Sequence, residues 1–141
     1  MVAIVMAALL VACSPSADRR EVPPGTDRIV ELSMEGMHFV PDSIVVKAGE
    51  LVAFVVTNPN DIAHELYIGT EADQVAHHAI HMADSPAGQA QISHGGYGIY
   101  LEPHETGVVS YRFDAALMIM LGCHLPGHWE AGMRAVVTVE P

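Results

Sequence analysis

The sequence predicts an all-β sandwich or barrel of seven or eight strands, with a short helix inserted before the C-terminal strands. Short runs rich in β-branched residues recur along the chain at roughly eight to twelve residues, with turn residues between them. Residues 71–82 depart from this pattern, because they hold good helix formers and neither Pro nor Gly. At 141 residues, the chain has the length of one domain.

The first half of the chain contains four predicted strands. An alternating run comes first, followed by a β-branched run that ends at the turn residues 47–50. The next run ends at the Asn- and Pro-rich turn 58–61, and a short strand follows it. The predicted strands are residues 29–34, 44–46, 51–57 and 63–68.

The second half begins with the predicted helix, which lies in a long connection. Acidic residues near its start favour a helix N-terminus there, and residues 83–96 have a loop composition. Strands then resume with the same spacing as before. These predicted strands are residues 97–101, 107–113, 117–122 and 134–140.

The N-terminal segment predicts export and a lipid anchor. Residues 1–12 are apolar and uncharged, and they are too few for a membrane-spanning helix, which needs roughly 20 residues. The following Cys13 makes the segment resemble a bacterial lipoprotein signal, although no Lys or Arg precedes the apolar run. We therefore expect a signal peptide over 1–12, a lipid on Cys13 and an extracytoplasmic protein anchored to a membrane. The alternative is a buried Cys in a short core segment.

Composition further restricts the domain organisation and the possible partners of the chain. Residues 13–27 are rich in Pro, Ser and charge, which predicts a flexible tether before a domain over 28–141. Six basic against seventeen acidic residues give a net charge of −11, which disfavours nucleic-acid binding. If Cys13 carries lipid, Cys123 is the only other thiol, so no intrachain disulfide can form. A bound metal would protect such a lone thiol.

The segment CHLPGHWEAGM, residues 123–133, contains three candidate metal ligands. It connects two predicted strands, and its Pro-Gly pair supplies a turn that can aim a thiolate, an imidazole and a thioether at one point. Two His, one Cys and a weak axial Met form the blue-copper site. The second imidazole must come from elsewhere, and His64 is the candidate because it lies in a strand just after a polar turn.

This loop resembles the C-terminal copper loop of the small cupredoxins. The upstream segment MHFVPDSIVVKAGELVAFVVTN resembles the start of the same domain, and AHELYIG resembles its first-ligand strand in copper-handling systems. The resemblance covers about residues 29–140. It implies a Greek-key β-sandwich that binds one Cu(I)/Cu(II) ion. It also implies the ligands, with the last of them axial: His64, Cys123, His128 and Met133.

Two features depart from that family. Glu65 stands where many electron-transfer cupredoxins have Asn or Ser, and a carboxylate there can alter the potential, solvent access and ligand pKa values. The helix-bearing insertion is also longer than in the smallest members.

The spacing of the Cys and His residues excludes two other kinds of copper site. A dinuclear centre needs a second Cys in the loop, and an oxygen-reducing trinuclear cluster needs His-x-His pairs that this chain lacks. We expect no enzymatic activity.

The predicted helix is rich in His and suggests a second copper site. On a helix, residues three or four apart are neighbours, so these side chains can approach one another. The candidates are His77, His78, His81 and Met82. The alternative is a solvated helix face.

Three functions remain open from the sequence. The first is a one-electron carrier with a type 1 copper, whose partner would be an unidentified redox protein. The second is copper sequestration or delivery in copper resistance or homeostasis, which Glu65 and the His-rich helix favour and which requires a copper-handling partner. The third is a copper-free structural sandwich, which the intact ligand set disfavours.

Overall fold

The computed structural model describes residues 21–84 and 97–141. The predicted signal peptide, Cys13 and most of the predicted tether lie outside these residues. The described chain contains nine strands and one helix, which we number in chain order. The strands are β1 Arg28–Glu35, β2 His38–Val40, β3 Ser43–Lys47, β4 Leu51–Thr57, β5 His64–Gly69, β6 Gly98–Leu101, β7 Thr106–Arg112, β8 Met118–Gly122 and β9 Arg134–Glu140; the helix is α1 Glu71–Asp84.

The strands form two mixed sheets, and this confirms the predicted sandwich. One sheet has the order β2-β1-β4-β7 and the other has the order β3-β9-β8-β5-β6. The pairs β1–β4 and β3–β9 are parallel, whereas the other strand pairs are antiparallel. The copper-loop segment predicted from the sequence therefore connects β8 to β9, two neighbouring strands in the second sheet.

A single apolar core lies between the two sheets. Along each strand, alternate side chains point inward, as expected for sheets that share one buried face. The largest fully buried apolar side chains come from both sheets, and they include Met133, which the sequence assigned to the copper site. Others in this group are Phe39, Phe54, Phe113, Leu32, Met34, Leu66, Ile68, Leu101 and Leu121.

Apart from shifts of one residue at strand ends, prediction and structure differ in two elements. Strand β2 was not predicted, because its three residues are too few to show a strand pattern; only its central Phe39 is buried. Helix α1 continues to Asp84, two residues beyond the predicted end. Its start is capped by Thr70, whose hydroxyl accepts from the Asp73 amide at 3.3 Å while the Asp73 carboxylate accepts from the Thr70 amide at 2.9 Å.

Helix α1 covers one face of the second sheet, where it packs against β5 and β8. Strand β5 is consequently buried on both sides. His64 and Leu66 lie on one face of the strand, while Glu65 and Tyr67 lie on the other face, beneath the helix. Successive residues of a single strand thus reach the sandwich interior and the helix. Helix α1, the one helix in the described part of the chain, is not long and apolar enough to cross a membrane.

Candidate metal centre

The loop from Cys123 to Met133 is closed by its own backbone. The Cys123 amide donates to the Met133 carbonyl at 3.1 Å, and the Met133 amide donates to the His128 carbonyl at 3.0 Å. Two sharp turns make this closure possible, since Gly127 and Gly132 have φ values of 84° and 89°. Residues other than glycine rarely adopt this left-handed conformation. The loop therefore presents Cys123 and His128 from fixed positions.

Three predicted ligands meet at the end of the second sheet that carries this loop. The candidate ligand atoms of His64, Cys123 and His128 all lie within 4.8 Å of one another. Cys123 Sγ is 3.3 Å from His128 Nδ1, and the two imidazole centroids are 4.8 Å apart. His64 and Cys123 are fully buried, whereas His128 is half-buried. Strand β5 and the loop thus bring two imidazoles and one thiol together.

The donors in this cluster fit a copper ion. His64 is fully buried, yet neither of its ring nitrogens has a hydrogen-bond partner within residues 21–84 and 97–141. Buried polar atoms are normally paired, so these nitrogens are suited to a metal. A thiolate with two imidazoles is a donor set that copper prefers. The sulfur also accepts a hydrogen bond from the Glu65 amide at 3.4 Å, which orients it towards the cluster.

Burial sets the protonation of these groups. It lowers the pKa of His64 to about 4, and the nearby His128 adds to that shift. Burial also lowers the pKa of His128, although Glu65 and Glu130 act in the opposite direction. Burial raises the pKa of the Cys123 thiol to about 12, despite backbone hydrogen bonds that favour the thiolate. Near neutral pH, both imidazoles are therefore neutral and the metal-free cysteine carries a proton.

This site is consistent with the known proteins that the chain resembles. The profile of the copper binding proteins of the plastocyanin/azurin family matches residues 27–140. The chain belongs to this family. Family membership and the His-Cys-His cluster together establish a cupredoxin that binds one copper ion.

Three relatives share one name, copper-resistant cuproprotein CopI. The protein from Pseudomonas aeruginosa is 30% identical over 81% of this chain and 77% of its own length. The one from Rubrivivax gelatinosus is 34% identical over 74% of this chain and 61% of its own length. The one from Vibrio cholerae is 28% identical over 64% of this chain and 51% of its own length. The match thus spans about three fifths of the second relative and about half of the third.

Solved cupredoxin structures share the fold. Auracyanin B superposes with a TM-score of 0.70 at 23% identity, covering 85% of this chain and 94% of its own. Reduced auracyanin from Roseiflexus castenholzii gives a TM-score of 0.67 at 20% identity, covering 81% and 97%. At these identities the likeness shows the cupredoxin sandwich and nothing finer.

Met133, the predicted axial ligand, is fully buried at the end of the loop. Its backbone carbonyl and amide bond to the backbone of Cys123 and of His128, the two ligands that the loop contributes. Coordination by its sulfur stays a prediction.

The described side chains of the hypothesised second copper site have different surroundings. His77 is buried, with its ring stacked on Tyr67 at 3.9 Å and its Nε2 2.8 Å from Glu65 Oε1. His78 lies nearer the surface, and Met82 is 56% exposed. The side chain of His81 lies outside what the structure describes. Metal binding by this group of residues stays a prediction.

Glu65 joins the copper loop to helix α1, a role that sequence reasoning missed. Its carboxylate is fully buried, and Oε1 accepts from the His124 amide at 3.2 Å and contacts His77 Nε2 at 2.8 Å. The bond to His124 crosses from the first-ligand strand to the residue after Cys123. The sequence did contain a signal for this, since Glu65 replaces the Asn or Ser that bonds across to the same loop in many cupredoxins.

Gly122 has no space for a side chain where α1 meets the loop. A Cβ there would lie 2.5 Å from Gln74 Oε1 and 2.8 Å from the Trp129 ring. Gln74 cannot easily retreat, because its amide nitrogen donates to the Tyr67 and Met120 carbonyls at 3.2 and 2.8 Å. We expect Gly122→Ala to destabilise the metal-free protein by about 1–3 kcal/mol through overpacking. Urea denaturation measures this, and unchanged stability would contradict the close packing.

Proposed function

We propose that this protein acts in copper resistance outside the cytoplasm, binding one copper ion in a type 1 site. The observation that carries this proposal is the shared name of the three relatives, copper-resistant cuproprotein CopI. The His64, Cys123 and His128 cluster supports it, because a chain that binds copper needs an intact ligand set. The partner would be another copper-handling protein, so release of copper to an acceptor is part of the proposed role.

The ligand set suits both oxidation states of copper. Thiolate and thioether favour Cu(I), imidazole also suits Cu(II), and the closed loop holds Cys123 and His128 in place as the charge changes. In this proposal Cys123 would supply the thiolate, His64 and His128 would supply imidazoles, and Met133 would supply a weakly bound thioether. A bound copper ion supplies a reversible one-electron change. A protein of this kind can therefore hold copper while limiting its exposure to water.

A one-electron carrier is the second candidate function. The specific observation in its favour is the difference in exposure among the ligands, since His128 is half-buried while His64 and Cys123 are fully buried. A partner could approach the exposed edge of His128 without opening the site. The sequence hypotheses placed this function first, and the names of the relatives move copper resistance ahead of it.

The anchor is part of the proposal. The segment around Leu10-Val11-Ala12-Cys13 resembles a lipoprotein signal, so we propose that Cys13 is lipidated and that residues 14–27 tether the domain to a membrane. Mass spectrometry of the membrane fraction tests this. A mass increase on the peptide that begins at Cys13 is expected, and an unmodified Cys13 would remove the anchor from the proposal.

Copper titration of the chain carrying Cys13→Ser tests the site and separates the two functions. An intense thiolate-to-copper absorption band that saturates at one equivalent is expected for either function. Transfer of Cu(I) to a chelator within seconds, with slow electron self-exchange, would favour copper resistance. Fast self-exchange with copper retained against the same chelator would favour the carrier. A folded protein without the band would contradict both.

Copper affinity should rise with pH because the Cys123 thiol must lose a proton on binding. Burial raises the pKa of this thiol to about 12 and lowers the pKa of His64 to about 4, so only the thiol releases a proton near neutral pH. We expect the dissociation constant to fall about tenfold per pH unit between about pH 6.5 and 8. Competition with a chelator of known pH dependence measures it. In Cys123→Ser the slope should vanish, and a flat wild-type profile would show that the thiolate is already formed.

A further inference from the structure

Two imidazoles outside the copper centre face each other through the same type of nitrogen. His78 on helix α1 and His124 in the copper loop have their Nδ1 atoms 3.3 Å apart. Their ring centroids are separated by 5.4 Å. Neither residue belongs to the His64, Cys123 and His128 cluster. The hydrogen-bond partners of the two Nε2 atoms indicate which nitrogen of each ring carries the hydrogen.

The tautomer of His124 follows from Gln74. The Gln74 amide nitrogen donates to two backbone carbonyls, those of Tyr67 and Met120, so the orientation of its amide is fixed. Its Oε1 therefore faces His124 Nε2, at 2.7 Å. A carbonyl oxygen only accepts, so His124 Nε2 carries the hydrogen. In the neutral ring, Nδ1 then presents a lone pair to His78.

The tautomer of His78 follows from Glu130. His78 Nε2 lies 3.4 Å from Glu130 Oε1, and a carboxylate oxygen is an acceptor. The nearby carboxylate favours the tautomer with the hydrogen on Nε2, and in that neutral ring Nδ1 turns a lone pair towards His124. Two lone pairs at this distance repel each other unless a cation lies between them.

We propose that His78 Nδ1 and His124 Nδ1 form a second metal site for a tetrahedral closed-shell ion, Cu(I) or Zn(II). Metal-bound histidines almost always donate their other ring N–H to a carboxylate or a carbonyl oxygen, and here Glu130 and Gln74 supply those acceptors. This proposal does not depend on whether the main copper ion serves copper resistance or electron transfer.

The distance between the two nitrogens fits this ion class. Two metal–nitrogen bonds of about 2.0–2.1 Å at a tetrahedral angle place the nitrogens roughly 3.3–3.4 Å apart. The structure has them 3.3 Å apart. A square-planar ion would need roughly 2.8–3.0 Å for neighbouring ligands, so Cu(II) fits less well.

One side of this pair is shielded and the other is open. His124 is fully buried, and the Trp129 ring stacks on it at 4.4 Å with a 21° tilt. The side chains of His78 and Glu130 are 26% and 52% exposed, so an ion can enter past them. Water or a ligand from a donor would complete the coordination of the ion. We therefore expect an ion at this site to exchange readily.

The test uses the full chain with one equivalent of copper bound, reduced to Cu(I) under anaerobic conditions and titrated with Zn(II). Imidazole nitrogen NMR reports each ring directly. We expect one further equivalent to bind and to shift Nδ1 of His78 and His124 into the metal-bound range, with both Nε2 atoms still protonated. The same shifts are expected with Cu(I) as the added ion, since it has the same closed shell.

Variants separate this site from other histidines. His78→Ala should weaken binding of the second ion at least about tenfold, and Glu130→Ala about tenfold or more. Before reduction, both variants loaded with one equivalent of Cu(II) should keep the main absorption band unchanged. His104→Ala is the matched control, because His104 is 63% exposed and bonds to Asp61 at 2.9 Å. The proposal is overturned if no second equivalent binds or if affinity survives His78→Ala. It is equally overturned if the two Nδ1 signals respond to pH but not to Zn(II), which would mean a shared proton.

Discussion

Cys123→Ser should abolish the intense thiolate-to-copper absorption band and weaken copper binding more than any other single change. The substitution replaces a soft sulfur donor with a hydroxyl of similar size, at the fully buried centre of the ligand cluster. Loss of an outer hydrogen-bond partner of a metal site costs roughly 10–100-fold in affinity, so loss of the thiolate ligand should exceed about 100-fold. Absorption spectroscopy and chelator competition measure the two effects.

The fold should survive this substitution. The backbone bond from the Cys123 amide to the Met133 carbonyl does not depend on the side chain, so circular dichroism should stay unchanged. His104→Ala, at an exposed imidazole bonded to Asp61, should retain the band and the affinity. A band of normal intensity in folded Cys123→Ser would show that the copper lies elsewhere.

Glu65→Ala should produce the largest loss of stability, because it removes the link between the copper loop and helix α1. The His124 amide and His77 Nε2 would both lose a buried acceptor. Each lost acceptor costs about 1–3 kcal/mol, so we expect a total of about 2–6 kcal/mol. That is a large share of the roughly 5–15 kcal/mol that stabilises a typical domain. Urea denaturation of the metal-free protein, followed by circular dichroism, gives the value.

Two controls define the origin of this loss. Glu65→Gln keeps the shape and an oxygen acceptor, so it should recover part of the stability that the alanine variant loses. Glu35→Ala removes an exposed glutamate from β1 and should change stability by less than about 0.5 kcal/mol. If Glu65→Ala and Glu35→Ala behave alike, the buried carboxylate does not hold the helix to the loop.

The copper loop was predictable because its candidate ligands are close together in the sequence. Cys123, His128 and Met133 lie within eleven residues of sequence, and the β-rich runs on both sides place them in a tight connection. The alternation of short strands with turns predicted the sandwich for the same reason, since the pattern is local. His64 depends on long-range pairing of β5 with β8, so only its place after a polar turn and the family resemblance pointed to it.

The contacts of helix α1 could not be predicted in this way. The sequence predicted the helix itself, but the face that it turns to the sheet depends on how the sandwich folds. The burial of His77 against Tyr67 and Glu65 could not be read from the helix pattern, which only grouped His77 with His78 in a hypothesised copper site. Glu65 was noted only as a departure from the family, because its partners are distant in sequence.

Trp129 gives this protein a built-in optical reporter. It is the only tryptophan in the chain. Its indole stacks on the His124 ring, and the Arg134 guanidinium lies over the indole, 4.4 Å from the indole centroid. It also directly follows His128 in sequence. Its intrinsic fluorescence therefore originates beside the copper loop and nowhere else, so metal loading, release and loop opening can be followed in real time without attaching a dye.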